Sequence, residues 1–446
     1  MRVRFRSLLI CCSLVLALCG LAACGPNRIG TIPRGTPDHG NGTPAVIPTP
    51  TQTVLKAPPT AMGATYAFVR QNQLWLALNG ASPVQMTHFV YGNTPDVFWH
   101  EPLWSPGDRY IAFILAARPV GQGGGGCPAP DFGANGALYL LNAANGQFAP
   151  ITLSGGQANV SANPHTPLSD YWQYAFWEDA THLLAWYNGP VGKTSSVAGL
   201  YRYDLATRTL TQVIPLSALG VTTLFSAQPG LPLLLSMRYS SGQLFYQIIV
   251  HPFEQHSTFM IYSRPVMQPG AVSQKVLEMG SEPWCATQQS GPYMKPGWDI
   301  SQDGEQLAAQ VVTAEGSTGV SSVQVYNLNV GSTTQLFAQV PARLFGHDLA
   351  LSWGPDSQSL ALTMPDVPGQ IASVGPYSAT LANPAAVQEY KPVLGGQVAW
   401  RSDSAAFALT PPVMPDGTTT PDVYLFTPGA IQGSLLLADA QDFVWG

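Results

Sequence analysis

Between Trp104 and Thr410 one pattern recurs: an aromatic residue, a short polar turn, then an apolar run. It appears as WSPGDRYIAFI from Trp104, WEDATHLLAWY from Trp177, WDISQDGEQLAAQV from Trp298, WGPDSQSLALTM from Trp353 and WRSDSAAFALT from Trp400. FSAQPGLPLLLSM from Phe225 reads as a degenerate sixth copy. Recurrence of this kind constrains a chain more than any single motif, because one unit is too small to bury its own apolar face and must stack on its neighbours. The runs are short, rich in Val, Ile, Leu, Tyr and Trp, and separated by Gly, Pro, Asn and Asp. They read as strands, and no long stretch has helical period. Most copies are followed by a second hairpin, as in LYLLNAANGQFAPIT from Leu138, LYRYDLATRTLTQVI from Leu200, VQVYNLNVGSTTQLF from Val323 and VYLFTPGAIQGSLLL from Val423. Two hairpins per unit make a four-stranded antiparallel sheet, so the expected fold class is all-β.

The aromatic strand end, the polar turn and the following apolar strand resemble the TolB-type, WD-like β-propeller repeat over about residues 62 to 446. The family's turn reads Trp-Ser-Pro-Asp-Gly, whereas here Gly107-Asp108 is transposed and Glu178-Asp179 or Ser402-Asp403 stands elsewhere. The resemblance implies a ring of four-stranded blades. The globular part opens with TYAFVRQNQLWLALNGASPVQMTHF from Thr65, which matches the second, third and fourth strands of a unit and lacks the first. The chain ends with Phe443-Val444-Trp445-Gly446, similar to the strand leading into Trp104. The C-terminal strand is therefore expected to complete the first blade and close the ring, which leaves only short protected sheet edges. Counting that composite blade gives seven, with six or eight blades or a β-sandwich as the alternatives.

Upstream the texture changes. Arg2, Arg4 and Arg6 precede an uncharged stretch from Ser7 to Ala23 that ends in Leu21-Ala22-Ala23-Cys24. A basic start, a short apolar run and small residues read as a secretory signal, since a membrane span needs about 20 apolar residues. A cysteine directly after Leu-Ala-Ala resembles the lipobox of bacterial lipoproteins, which implies cleavage before Cys24 and its acylation; Cys11, Cys12 and Cys19 would be cut away. Loss of residues 1–23 leaves 16 Lys+Arg against 25 Asp+Glu. Charge attraction would then not hold the protein to an anionic membrane, whereas two or more acyl chains would. From Gly25 to Thr60 there are 8 Pro, 5 Gly and 7 Thr and no aromatic residue. Such a segment cannot offset the cost of ordering and reads as a tether. The expected organisation is a signal peptide at 1–23, a Pro/Thr/Gly-rich tether at 24–60 and a β-propeller at 61–446, located outside the cytoplasm on the bacterial cell membrane.

In a blade whose strands alternate direction, second-to-third and fourth-to-next-first connections share one face. The long segments sort onto it: Val90 to Trp99, Pro119 to Gly136, Ser154 to Asp170, Gly189 to Val197, Arg264 to Pro296, Pro365 to Ser373 and Pro411 to Pro421. The turns SPGDR, SQDGE, NAANGQ, LATR and NVGST belong to the other face. A rigid scaffold with long loops on one side is a common design for binding proteins. The loops carry Trp99, His100, Asp131, His165, Asp170, Tyr171, Trp172, Trp284 and Tyr293, a mixture suited to a glycan, a peptide or another protein surface, and the alternative for each is a packed rim or core residue. Cys127 and Cys285 also fall there. Outside the cytoplasm such a pair tends to oxidise, so they form a candidate disulfide, provided that blades two and five bring them within reach.

Other chemistry is missing from the sequence. With 19 Lys+Arg against 25 Asp+Glu and no basic cluster, nothing is built to neutralise nucleic-acid phosphates. Gly192-Lys193-Thr194 lacks the first Gly of a phosphate loop, since Tyr187 stands there. His251 and His256 lack a third metal ligand, His100-Glu101 opens no helix, and Ser301-Gln302-Asp303-Gly304 reads as a plain turn. No Gly-x-Ser-x-Gly elbow occurs, and neither a metal nor a cofactor is implied. The expected function is a noncatalytic ligand- or protein-binding scaffold, anchored by lipid on Cys24, for an envelope protein, peptide or glycan. The alternative is a carbohydrate-active or other hydrolytic propeller whose carboxylates, drawn from Asp96, Asp131, Asp170, Glu282, Asp366 and Asp416, come from separate blades.

Overall fold

The apolar runs that follow each polar turn show little alternation because they become second strands, walled by neighbouring blades on both faces. His182–Tyr187, Ser359–Thr363 and Phe407–Thr410 are buried almost throughout. Fourth strands lie at the outside of the sheets and read differently: Thr209–Pro215 and Asn383–Glu389 are largely exposed. The computed structural model describes residues 64–89, 97–117, 136–153, 172–188, 197–223, 230–250, 257–282, 297–312, 320–341, 350–363, 376–391, 396–410 and 422–446. The expected signal peptide and tether, with Cys24, lie outside these residues.

Seven four-stranded antiparallel sheets result. Blade two runs Val97–Trp104, Tyr110–Ala117, Ala137–Asn142 and Phe148–Ile151. Blade three runs Trp172–Trp177, His182–Tyr187, Gly199–Asp204 and Thr209–Pro215. Blade four comprises Leu233–Ser240, Gln243–Val250, Ser257–Pro265 and Gln274–Glu282, and blade five Trp298–Ile300, Gln306–Val312, Val320–Asn327 and Thr333–Pro341. Blade six comprises Ala350–Trp353, Ser359–Thr363, Tyr377–Thr380 and Asn383–Glu389, and blade seven Gln397–Trp400, Phe407–Thr410, Val423–Phe426 and Ser434–Leu437. Blade one is composite: Gln441–Trp445 from the end of the chain pairs with Tyr66–Arg70, followed by Gln73–Ala77 and Val84–Gln85. First strands touch first strands all the way round, from blade one to two and on to seven and back to one, so the sheets form a closed ring.

The closing ladder aligns Tyr66 with Trp445, Ala67 with Val444 and Val69 with Gln441, with a bulge between Ala67 and Val69. Phe443 is fully buried; its ring lies 5.6 Å from Tyr66 and 4.8 Å from Trp445. Hydrophobic clusters fill the spaces between successive blades: Trp298, Ile300 and Leu307 of blade five pack with Leu235, Phe245 and Phe259 of blade four, and Ala406 and Ala408 of blade seven pack with Tyr66, Phe68 and Phe443 of blade one.

Three details depart from the sequence reading. Within FSAQPGLPLLLSM, whose start lies outside the described residues, the apolar run is not a second strand; Leu233–Ser240 is itself a first strand, and its turn is Ser241-Gly242, with positive φ at both residues. The apolar density of LPLLLSM imitated a second strand. In blade five Ile300, not Trp298, holds the place that Trp353 and Trp400 hold in the next two blades, opposite Leu307 as they are opposite Leu360 and Phe407. The expected long loop from Arg264 to Pro296 contains the fourth strand Gln274–Glu282, hidden because its outer face carries Lys275 and Glu278 while Leu277 and Met279 point inward.

Replacing Phe443 by Ala removes the anchor of the closing strand and is expected to cost about 3–5 kcal/mol, with deletion of Asp442 to Gly446 costing more. Urea or thermal unfolding measures both; an unchanged midpoint in either protein contradicts closure by this strand.

Candidate functional site

Strand order fixes which connections share a rim. Second-to-third and fourth-to-first connections include the stretches from Ala117 to Ala137, Ile151 to Trp172, Glu282 to Trp298, Thr363 to Tyr377 and Thr410 to Val423. The opposite rim carries tight turns, from Trp104 to Tyr110, Trp177 to His182, Ser240 to Gln243, Ile300 to Gln306, Trp353 to Ser359 and Trp400 to Phe407. Two connections on the long-loop rim are also short, Arg70 to Gln73 and Leu437 to Gln441, both belonging to or leading into the composite blade.

Trp99 and His100 belong to the first strand of blade two, opposite Leu115 and Ile114, rather than to the loop before it. Trp172 opens the first strand of blade three and is fully buried, its ring 5.1 Å from Tyr187 and 6.0 Å from Tyr201. It packs in the core between blades two and three. Asp131, His165, Asp170, Tyr171, Trp284, Tyr293, Cys127 and Cys285 lie outside the described residues. So do the carboxylates Asp96, Asp366 and Asp416, while Glu282 ends the outermost strand of blade four.

The tight-turn rim is defined in atomic detail. An aspartate recurs in its first-to-second turns because a carboxylate there accepts the backbone N–H two residues on, an Asx-turn. Asp179 takes the N–H of Thr181 at 2.7 Å, Asp303 that of Glu305 at 2.9 Å, Asp356 that of Gln358 at 2.9 Å and Asp403 that of Ala405 at 2.9 Å. In blade two the transposed Gly107-Asp108 pair has φ of 82° and 54°, the left-handed region that Gly and Asp tolerate. Hydroxyls then link neighbouring turns: Ser241 Oγ donates to the carbonyl of Asp303 at 2.7 Å, and the amides of Asp303 and Asp356 donate to Ser357 Oγ and Ser404 Oγ. Gly304 has φ of 78°, and a Cβ there would crowd the Ser241 side chain at 3.1 Å, so the turn favours glycine.

Indoles make a second set of rungs. Trp177 Nε1 donates to the carbonyl of Leu103, Trp353 Nε1 to that of Asp299 and Trp400 Nε1 to that of Ser352, always one residue before the matching place in the preceding blade. By that rule Trp104 and Trp445 should reach Val444 and Ala399. Their buried Nε1 atoms have no partner among the described residues, and both junctions involve the closing strand. Between blades four and five, Arg238 donates to Asp299 at 3.2 Å, and Asp299 also accepts the amide of Trp353 at 2.9 Å. Burial pushes the Asp299 carboxyl up, and Arg238 opposes that shift.

Two polar constellations stand on this rim. A cleft of about 380 Å³ opens at the seam, lined by Thr65, Asn79, Asp108, Arg401, Asp403 and Trp445. Burial raises the Asp108 carboxyl, whereas the Arg401 guanidinium, bound through two nitrogens at 2.8 and 2.7 Å, lowers that of Asp403. In blade three, ligand-capable atoms of Glu178, Asp179 and His182 lie within 4.8 Å of one another. They are already engaged: Glu178 with Arg202, Asp179 with His182 Nδ1 at 2.8 Å, and His182 Nε2 stands 3.5 Å from Asp204. His182 thereby braces the first-to-second turn against the third-to-fourth turn. Sequence reading missed this group and the Arg238–Asp299 pair, although Asp-x-x-His within a tight turn was a usable signal for the former.

No protein-family model matches the sequence, and no curated protein matches it. Among solved structures, a prolyl endopeptidase superposes with a TM-score of 0.51 at 12% identity, over 88% of this chain and 50% of the peptidase. An oligogalacturonate lyase in complex with manganese gives 0.46 at 13% identity, over 85% and 92% of the two chains. The β-propeller domain of the Trilobed protease from Pyrococcus furiosus gives 0.42 at 10%, over 76% and 85%. This chain thus spans half the length of the first of these. Likeness at such identity establishes the propeller fold and nothing about chemistry.

Burial opposes the shift of Asp179, but hydrogen bonds from Thr181 and His182 outweigh it and hold its carboxyl well below the ordinary 3.8. A depressed pKa contributes stability that is present above the ordinary value and lost as pH falls below it. Half-exposed pairs of this kind are worth no more than about 1 kcal/mol. Asp179→Asn should therefore melt slightly below the parent at pH 7, with the gap closing as pH drops through 3.8; a gap that stays constant to pH 3 contradicts this role.

Proposed function

We propose that the chain is a lipid-anchored, extracytoplasmic propeller of the TolB-like kind, a noncatalytic module that binds an envelope protein, peptide or glycan through its long-connection rim. The observation that carries this reading is the division of chain length between the rims. Six first-to-second connections close in tight turns braced by aspartate or serine, while the connections from Ala117 to Ala137, Ile151 to Trp172 and Glu282 to Trp298 all leave from the other end of the strands. A ring held rigid by inter-blade bonds and elaborated at one end separates stability from recognition, since the connections vary without disturbing the sheets. Among the described residues no helix is long and apolar enough to cross a membrane. The anchor proposed is Cys24, in the sequence Leu21-Ala22-Ala23-Cys24, with the segment to Thr60 as spacer.

Two measurements test this. Cys24→Ser should shift the chain out of the membrane fraction and abolish incorporation of labelled fatty acid; a variant that still fractionates with membranes and still takes up label contradicts the anchor. Crosslinking in intact cells should recover one defined partner, lost when Trp284 and Tyr293 are both replaced by Ala. Recovery of no partner under several crosslinking chemistries, or an unchanged partner on the double variant, contradicts binding through that rim.

A further inference from the structure

The exposed apolar residues are unevenly placed. Single apolar side chains on a surface need no explanation, but the three most exposed large ones among the described residues share one structural position. Val272 is 77% exposed, Val330 74% and Ile431 72%, and each sits in the third-to-fourth turn of its blade, on the tight-turn rim, in blades four, five and seven. Met267, 54% exposed, lies in the same turn as Val272. These turn tips carry no charge: Met267-Gln268-Pro269-Gly270-Ala271-Val272, Asn329-Val330-Gly331 and Gly429-Ala430-Ile431-Gln432-Gly433. The corresponding turns of blades two and three, Ala143-Ala144-Asn145-Gly146-Gln147 and Leu205-Ala206-Thr207-Arg208, expose no large apolar side chain.

The tips are fixed by their backbones. Asn327 Oδ1 accepts the amides of Asn329 and Val330 at 3.0 Å each. The Ala271 amide donates to the carbonyl of Gln268 at 3.1 Å, and the Lys391 amide of blade six donates to the Ile431 carbonyl at 2.8 Å. The ring therefore presents these apolar groups at set positions in three of the four consecutive blades from four to seven. Ala64 and Thr65 enter the ring at the start of the second strand of blade one, where the Gly446 amide donates to the Thr65 carbonyl at 2.9 Å, which is on this same rim. In the cleaved chain of the lipid-anchor reading, the segment from Cys24 to residue 63, 40 residues long, therefore joins the ring at the rim that bears the apolar tips.

We propose that these uncharged apolar turn tips seat the propeller on the surface of a lipid bilayer, so that the long-connection rim faces away from the membrane. The inference rests on the lipid-anchor reading above. Apolar side chains pushed into the headgroup boundary give weak, reversible contact, and a tether raises the effective concentration enough for weak contact to be populated. Within blades four to seven, the turn carboxylates of Asp303 and Asp356 are repelled by anionic headgroups, while Asp403 is paired with Arg401. The surface is thus suited to zwitterionic lipid.

The test uses the acylated full chain floated with phosphatidylcholine vesicles and labelled by hydroxyl radicals. Val197 and Leu231, exposed at the opposite rim, serve as internal references, and the lipid-free Cys24→Ser chain in buffer gives free-state rates. Because the tether keeps the ring at high effective concentration, labelling of Met267, Val272, Val330 and Ile431 relative to the references should fall about three-fold or more, and less on vesicles containing phosphatidylglycerol. Co-flotation with the tips still labelled at free-state rates overturns the docking and leaves the anchor intact. Failure to co-float overturns the anchor and the docking with it. Protection that grows with protein concentration in the absence of vesicles assigns the tips to a second copy of the chain and likewise overturns the proposal.

Discussion

Pairing of Gln441–Trp445 with Tyr66–Arg70 is the contact on which the rest of the structure depends. Every other blade is built from strands close together in sequence and forms by local hairpins, but blade one joins residues separated by nearly the whole ring. Such a contact carries the largest loop-closure cost of the fold and is offset by burial of Phe443 against Tyr66 and Trp445. Arg70 reinforces it from the side: Nε donates to the Asp439 carbonyl at 2.8 Å, Nη2 donates to that of Ala438, and the guanidinium lies over the Phe68 ring. Without that pairing the ring would expose an open edge on Tyr66–Arg70 and leave the blade-seven core, which packs on Tyr66 and Phe68, half uncovered.

Around the ring, most junctions carry a recurring polar link, while blades three and four are joined instead by the Tyr174 hydroxyl donating to the Leu235 carbonyl at 2.9 Å. Indole rungs at Trp177, Trp353 and Trp400 and hydroxyl links at Ser241, Ser357 and Ser404 tie blades two to three and four to seven. On either side of the closing strand the matching indoles, Trp104 and Trp445, go without an acceptor among the described residues. Closure therefore leans on apolar burial and on Arg70, where the junctions two–three, five–six and six–seven also have an indole hydrogen bond, and the polar cleft with Arg401 and Asp403 opens at the seam.

Much of this architecture was legible in the sequence, for physical reasons. The Trp-turn-strand recurrence reports the rungs and Asx-turns, because most first-to-second turns draw on the same set: an aromatic strand end, a carboxylate that accepts a turn amide, and a residue that tolerates positive φ. The missing strand before Thr65 and the surplus one at Phe443 reported closure for the same reason. Blade four escaped because its turn carries Ser241-Gly242 with no aspartate and its first strand, LLLSMRYS, has the apolar density of a second strand. Its charged outer strand was read as loop. The candidate site was far less legible: Trp172, an attractive surface aromatic in a linear reading, fills the core between blades two and three, and Asp204 reaches the local Asp179–His182 pair only through pairing of the second and third strands.

Hydrogen exchange at the amides of Gln441–Trp445 and Tyr66–Arg70 tests closure most directly. The account predicts that both strands are strongly protected and lose protection together, in one opening event. Exchange of Gln441–Trp445 at the rate of an unstructured peptide, while Tyr66–Arg70 stays protected, would contradict it.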